Sequence, residues 1–468
     1  MKNESRVSFA VVFLSVVLMA TATFAQTPTP TPAATPLPPP STGKEPIIII
    51  PGLTGSNLVN SRTGEEVWFR AKRVKDDDIR LPISPNLSQN RDNLTVKDIL
   101  RKVELFKVLP EIEIYERLID ALKTRGGYRE ANWNTATRKD SQDTFYVFPY
   151  DWRRDNVENA QLLVRKIEML KRRLGKPNLK FNIIAHSMGG LIARYAAMYG
   201  AADLPVATPR PTWVGARNFD KIFLLGTPNE GSIQSLDALL NGFSYIGGGL
   251  NIPFIQDISR FDAFTIPAIY QLLPHDGALL AYDENLKPVE IDLYDPAVWE
   301  KYGWAIWQDE AFTKKFSPLE QKYARPFFVA VLARAKQFQA ALDADPGVKP
   351  ALSFYLFGGD CKPTPAGMLL LRDEKKNRWE TKFKANGFTR SNGEKVKDPE
   401  IEPLLLRLGD SVVTKGSLAG ENRKNGLKPV LPVTAELYQC VSHNKLVTNP
   451  EVQDKLFAFL NAAPTVTK

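Results

Sequence analysis

The segment FNIIAHSMGG, residues 181–190, places a serine where chemistry could happen. Ser187 follows an apolar run, with Ala185 two residues before it and Gly189 two residues after it. A strand that turns straight into a helix lifts such a serine Oγ above the sheet, and only small residues at those two positions fit inside the turn. A serine hydroxyl is a weak nucleophile until a base removes its proton. The chain offers three histidines, His186, His275 and His443. His186 adjoins the serine and points away from it in a turn of this kind, which makes it a packing or supporting residue. His275 falls in an irregular stretch. His443, in QCVSHNKL, comes late, and on folds with this turn the chain order is Ser, acid, His. His443 is therefore the expected base.

The acid must hold the imidazole in one tautomer and balance the charge it gains. Asp410 (LLLRLGDSVV) and Asp360 (LFGGDC) each follow an apolar strand-like run, and catalytic groups gather at the carboxyl ends of strands. Spacing alone leaves both open, although GGD also reads as plain turn chemistry. Charge developing on a carbonyl oxygen calls for two backbone N–H donors. One is expected from Met188, directly after the nucleophile. The other is expected from Leu53, in the glycine-bearing loop Pro51–Gly55 after the first strand.

The elements that must hold these residues are legible too. Residues Pro46–Pro51 (PIIIIP) form an unbroken β-branched run between turn residues, the pattern of a strand buried on both faces. Further strands are expected at Thr144–Pro149, Leu179–Ala185, Lys221–Leu225 and Leu352–Phe357. Helices are expected at Asn156–Leu174, where Leu162, Val164, Ile167, Leu170 and Leu174 recur at helical spacing, and at Ser187–Tyr199, Arg325–Leu342 and Glu451–Leu460. Alternating strands and helices define an α/β class: a mostly parallel central sheet with helices on both faces, of the α/β-hydrolase type, spanning about residues 45–465. Residues 232–325 break the alternation and read as a cap or lid insertion. Residues 366–384 read as a β-hairpin and Leu404–Leu408 as a further apolar run.

Lys2 and Arg6 precede an apolar run, Val7–Ala22, shorter than the roughly 20 residues of a membrane span. Small residues at Thr23 and Ala25 end it, so residues 1–25 read as a secretory signal peptide and the protein is expected to be exported, to the periplasm or the medium. Seven prolines in residues 26–43 make 26–44 an extended tether. Export permits a disulfide between Cys361 and Cys440, the two cysteines of the chain; two free, partly buried thiols are the other reading. Two cysteines and three histidines without metal-ligand spacing speak against a zinc site, and no metal or cofactor is expected. The 61 Lys and Arg against 52 Asp and Glu, a net charge of +9, are scattered. They read as a solvated basic surface or as attraction to anionic lipid. No finger spacing or basic helix with aromatic platforms points to nucleic acid.

These segments resemble the lecithin:cholesterol acyltransferase family, which includes lysosomal phospholipase A2 and the phospholipid:diacylglycerol acyltransferases. IIIIPGLTGSNL (47–58) is similar to its P-G-x-x-G-S/N-x-L opening, FPYDWRR (148–154) to its Y-D-W-R signature and AHSMGG to its nucleophile segment. LGTPNEGS (225–232), LGDSVV (408–413) and CVSHNKL (440–446) follow in the family's order. The resemblance implies Asp410 as the acid, Leu53 as an oxyanion amide, and Asp151 and Arg153 as residues that support the site. It also implies a membrane-contact insertion at about 57–108 carrying Trp68, and a lid at Asn241–Phe261. Phe243 and Tyr245, with other apolar lid residues, would then meet lipid. The activity so implied is acyl-ester hydrolysis or O-acyl transfer through an acyl-enzyme, with phospholipid as donor. A soluble carboxylesterase or lipase, and a catalytically inactive lipid-binding protein, are the alternatives.

Overall fold

Four consecutive isoleucines, Ile47–Ile50, form strand β1, and none is more than 1% exposed. Ile48 and Ile50 enter one core, Ile47 and Ile49 another. The run is unbroken because both faces of the strand are covered. The computed structural model describes residues 43–70, 78–103, 112–244, 257–348, 350–423 and 426–462. Around β1 lie β2 (Arg129–Glu130), β3 (Thr144–Val147), β4 (Phe181–His186), β5 (Phe219–Leu225), β6 (Ser353–Gly359) and β7 (Val433–Gln439). They form one sheet in the order β7-β6-β5-β4-β1-β3-β2, and every neighbouring pair is parallel.

Helices cover both faces. On the side of Ile47 and Ile49 pack α1 (Glu116–Thr124), through Leu118, Ile119 and Leu122, and the last helix, α6 (Pro450–Asn461), through Val452 and Leu456. On the side of Ile48 and Ile50 pack α2 (Asn156–Leu174), α3 (Met188–Tyr199) and α5 (Pro318–Leu342), with α4 (Ile233–Asn241) beyond. This is an α/β-hydrolase fold. The fifth helix starts seven residues before the position expected at Arg325. Its start is a capping box, Ser317 with Glu320 followed by Pro318 at the first position, which accounts for two orphan amides. Pro326 lies inside the helix rather than opening it.

Three excursions leave the sheet. After β1, Ser56–Asn60 pairs with Glu66–Trp68 and Leu94–Ile99 in a small antiparallel sheet. After β5 the chain runs through α4 and several short helices to α5. After β6, Lys362–Pro365 leads out and Leu406–Gly409 returns antiparallel to it. Between them the expected hairpin forms from Gly367–Asp373 and Arg378–Lys382. Leu280–Tyr282, from the second excursion, pairs with its first strand, so the cap is built from both. The apolar run 404–408 straddles the helix Asp398–Leu405 and the returning strand. The leader (1–25), the tether up to residue 42, Tyr245 and the lid segment 245–256 lie outside the described residues.

Candidate active site

The strand β4 ends at His186 and α3 begins at Met188, leaving Ser187 alone to make the turn. Its backbone sits at φ +54°, ψ −127°, a region that costs a residue with a Cβ about 1–3 kcal/mol. The surrounding structure enforces it. Ser187 N–H donates to Leu225 O at 2.8 Å. A Cβ on Gly189 would stand 2.5 Å from Pro51 O and 2.8 Å from Ile50 O, and one on Gly52 would meet Ser187 Cβ at 2.8 Å. The small residues are thus required by the approach of the β1 loop to the turn.

His443 opens a short helical turn after β7 and is 6% exposed. Its Nδ1 lies 2.7 Å from Asp410 Oδ2, and its N–H donates to Asp410 O at 2.8 Å. Asp410 Oδ1 accepts from the amides of Val412 (3.0 Å) and Val413 (2.7 Å). Burial alone would raise the Asp410 carboxyl. The His443 ring's charge and hydrogen bond, with the Val413 and Val412 amides, outweigh it and hold the group below its ordinary value. Gly226, next after Leu225, faces this pair: a Cβ there would stand 2.9 Å from His443 Nδ1 and 3.0 Å from Asp410 Oδ2. The serine turn and the His–Asp pair therefore converge on the carboxyl end of β5. Among the described residues neither Ser187 Oγ nor His443 Nε2 has a hydrogen-bond partner.

Asp410 does not end a central strand, as the sequence pattern suggested. It follows Leu406–Gly409, which pairs with Lys362–Pro365 in a two-stranded ribbon outside the seven-stranded sheet. Asp360 holds the central-strand position, directly after β6. The excursion after β6 returns antiparallel and sets Asp410 beside Lys362, so the acid arrives at the sheet's edge from outside it. Cys361 and Cys440, which follow β6 and β7, are joined there, with Cα atoms 5.1 Å apart.

The loop after β1 is a tight turn. Gly55 N–H donates to Gly52 O at 3.1 Å, and Thr54 has φ +62°. In a trans peptide the N–H points opposite to the C=O, so the Leu53 amide faces away from that bond. Neither it nor the Met188 amide finds an acceptor among the described residues. The loop is braced from behind. Tyr150 Oη donates to Pro51 O at 2.8 Å, Trp152 Nε1 to Ser56 O at 3.1 Å, and Trp68 Nε1 to Thr54 O at 3.0 Å.

Trp68 is a correction. It is fully buried, edge-on to Trp152 at 5.4 Å, and cannot touch a membrane. Its large apolar ring and single donor are both satisfied inside the domain. Phe243 is half-buried against the main core, on a two-residue strand paired with Asp257–Ile258. Arg153 is wholly buried. It grips Asp151 (Nε–Oδ1 3.0 Å, Nη2–Oδ2 2.8 Å), Asp92 (Nη1–Oδ2 2.5 Å) and Ile79 O (3.1 Å). Burial opposes its charge, but the two carboxylates hold it ionised above its usual range. Asp151 and Arg153 thus fasten the first excursion to the loop after β3, and Asp92, which no motif marked, completes the clamp. His275 stands apart, with Nε2 2.9 Å from Asp343 Oδ2. His275, Asp276 and Asp343 bring ligand-type atoms within 4.8 Å of one another, and Arg423 already pairs with Asp343 there.

The sequence profile described as lecithin:cholesterol acyltransferase matches residues 110–314. Over those residues, somewhat less than half of the chain, the sequence is similar to the lecithin:cholesterol acyltransferase family. That likeness supports a hydrolase or acyltransferase acting on lipid esters. Among curated proteins none matches the chain. Among solved structures, this chain resembles a chain of the Tle4–Tli4 complex at 14% identity and TM-score 0.52, over 89% of this chain and 98% of that one. That likeness agrees with the fold. A Bacillus licheniformis lipase, BlEst2 in mature form, aligns at 11% identity (92% and 96% covered, TM-score 0.33). The lin2722 product of Listeria innocua aligns at 14% (90% and 96% covered, TM-score 0.35).

Proposed function

We propose that this protein cleaves acyl esters of lipids by a Ser187–His443–Asp410 triad, taking a phospholipid as acyl donor. The observation that carries the reading is Ser187 at positive φ on a strand-to-helix turn, converging with a buried His–carboxylate pair. Ser187 Oγ attacks the ester carbonyl while His443 Nε2 takes its proton. Asp410 keeps the opposite ring nitrogen protonated and balances the imidazolium. The Leu53 and Met188 amides receive the oxyanion, each worth roughly 3–4 kcal/mol in the transition state. His443 then gives the proton to the departing alcohol, leaving the acyl group on Ser187. Water or a second alcohol attacks that ester with His443 again as base. A family named for acyl transfer from lecithin to cholesterol supports the donor. The leader read in residues 1–25 supports export to where lipid surfaces are met.

Incubation with acyl-labelled phospholipid vesicles, with and without a long-chain alcohol, tests the reading. Labelled fatty acid, joined by labelled ester when alcohol is present, is expected. Fatty acid alone at every alcohol concentration would reduce the activity to hydrolysis. A folded sample that neither releases acyl groups nor reacts with a fluorophosphonate at Ser187 would leave a lipid-binding protein.

A further inference from the structure

Behind Ser187 runs a buried chain of hydrogen bonds that the mechanism above leaves unused. Gly52 N–H donates to Tyr115 Oη at 2.9 Å. Tyr115 Oη and His186 Nδ1 are 3.0 Å apart, and His186 Nε2 lies 3.2 Å from His443 O. Tyr115 is 2% exposed and His186 7%, so water does not substitute for these contacts. Valence fixes their direction. A carbonyl oxygen only accepts, so His186 Nε2 carries a proton. A neutral imidazole has one N–H; Nδ1 therefore accepts, and the Tyr115 hydroxyl gives it its proton while receiving that of Gly52. Burial, then the neighbouring His443, lowers His186 to about 3, which keeps this arrangement through the neutral range. The two imidazole rings stand 4.8 Å apart, centre to centre.

Each end of the chain touches a different working part. Gly52 precedes Leu53, so anchoring its N–H orients the peptide whose amide is aimed at the oxyanion. The His443 carbonyl belongs to the base itself. We propose that Tyr115 and His186 are positioning residues for acyl transfer: their bridge couples the oxyanion loop to the His443 backbone, and it works only with His186 uncharged and protonated at Nε2. The proposal rests on the Ser187–His443–Asp410 reading. It assigns His186 more than the packing role its place beside the nucleophile suggests, and it gives Tyr115, which no sequence pattern marks, a part in catalysis without contact to substrate.

Two measurements on the full chain test it. With only three histidines, ring-nitrogen NMR resolves each imidazole, and His186→Gln identifies one signal by its loss. That signal is expected to remain neutral and Nε2-protonated from pH 8 to pH 5, and to move in Tyr115→Phe. A residue 186 ring that takes up a second proton in that interval, or that carries its single proton on Nδ1, overturns the bridge. This arm needs only wild-type protein and one assignment variant, so it decides even where Tyr115→Phe does not fold. In kinetics, Tyr115→Phe is expected to lower kcat for a short-chain ester about ten- to hundred-fold with KM within about twofold, because the loss falls on the transition state. Fluorophosphonate labelling of Ser187 should slow by a similar factor while Tm stays near wild type. His186→Gln, whose side-chain amide can still donate toward the His443 carbonyl, should retain more activity than His186→Leu. Wild-type kcat and labelling rate in folded Tyr115→Phe would reject the positioning role. Absence of labelling in wild-type protein would instead strike at the triad.

Discussion

At the residue scale, the proposed mechanism has the turn at 187 and the pair at 410 and 443 divide the labour between geometry and charge. The strained serine supplies reach, and the buried carboxylate supplies a reason for the imidazole to accept a proton. Ser187→Ala and His443→Ala are expected to fold normally and to lose ester hydrolysis by about 10⁴-fold or more. The acid assignment is tested by contrast. Asp410→Asn would force the wrong tautomer on His443 and should cost on the order of 10³–10⁴ in kcat. Asp360→Asn should remain near wild type, because Asp360 has no hydrogen bond to the ring. The opposite ranking in steady-state hydrolysis would show that the acid is Asp360. The turn at Ser187, and His443 as the proposed base, are legible in the bare sequence because the turn imposes small neighbours and because chain order in this fold is restricted. Trp68 misled because position within an insertion says nothing about which way a side chain faces, and an indole with one donor fits inside as well as outside. Tyr115 and Asp92 were invisible, since each acts through a partner more than 60 residues away.

At the scale of elements, the parallel strands were readable wherever both faces are buried. PIIIIP, FNIIAH and the run Phe219–Leu225 have no exposed side to blur the signal. The route by which Asp410 reaches the site was not readable. Its strand pairs with a segment more than 40 residues earlier, and no local pattern distinguishes that ribbon from a central strand. The ribbon, β6 and β7 meet at Cys361 and Cys440, where Gly359 is in register with Gln439. The bond joins the two strand ends that lead to Asp410 and His443. Under denaturing, non-reducing conditions no free thiol should be found. Replacing both cysteines by serine should cost about 2–4 kcal/mol of stability, since the closed segment between them is long. Two titratable thiols in the native preparation would exclude the bond.

At the scale of the whole molecule, the cap and the sheet domain are joined by charges as well as by apolar packing. Asp343, at the end of α5, accepts from His275 of the second excursion (2.9 Å) and pairs with Arg423 (2.5 Å). Arg423 in turn reaches the fully buried Glu230, on the segment that leads from β5 toward α4. Burial would raise the Asp343 carboxyl, but His275 and then Arg423 hold it below its ordinary value. The folded state therefore binds the proton less well than the unfolded chain does. The stabilisation is complete above the ordinary aspartate value of about 3.9 and is lost as pH falls through the lower folded value. Asp343→Asn should thus act in two ways. Near neutral pH it leaves the buried Arg423 short of a counter-charge and lowers stability by about 3 kcal/mol. As pH falls below the ordinary aspartate value the gap to wild type should begin to narrow, and it closes below the lower folded value, where the wild-type carboxyl is itself protonated. Calorimetry from pH 7 to pH 3 checks both, and two curves that stay parallel over the whole range would show that Asp343 is not the group through which acid loosens the cap from the sheet.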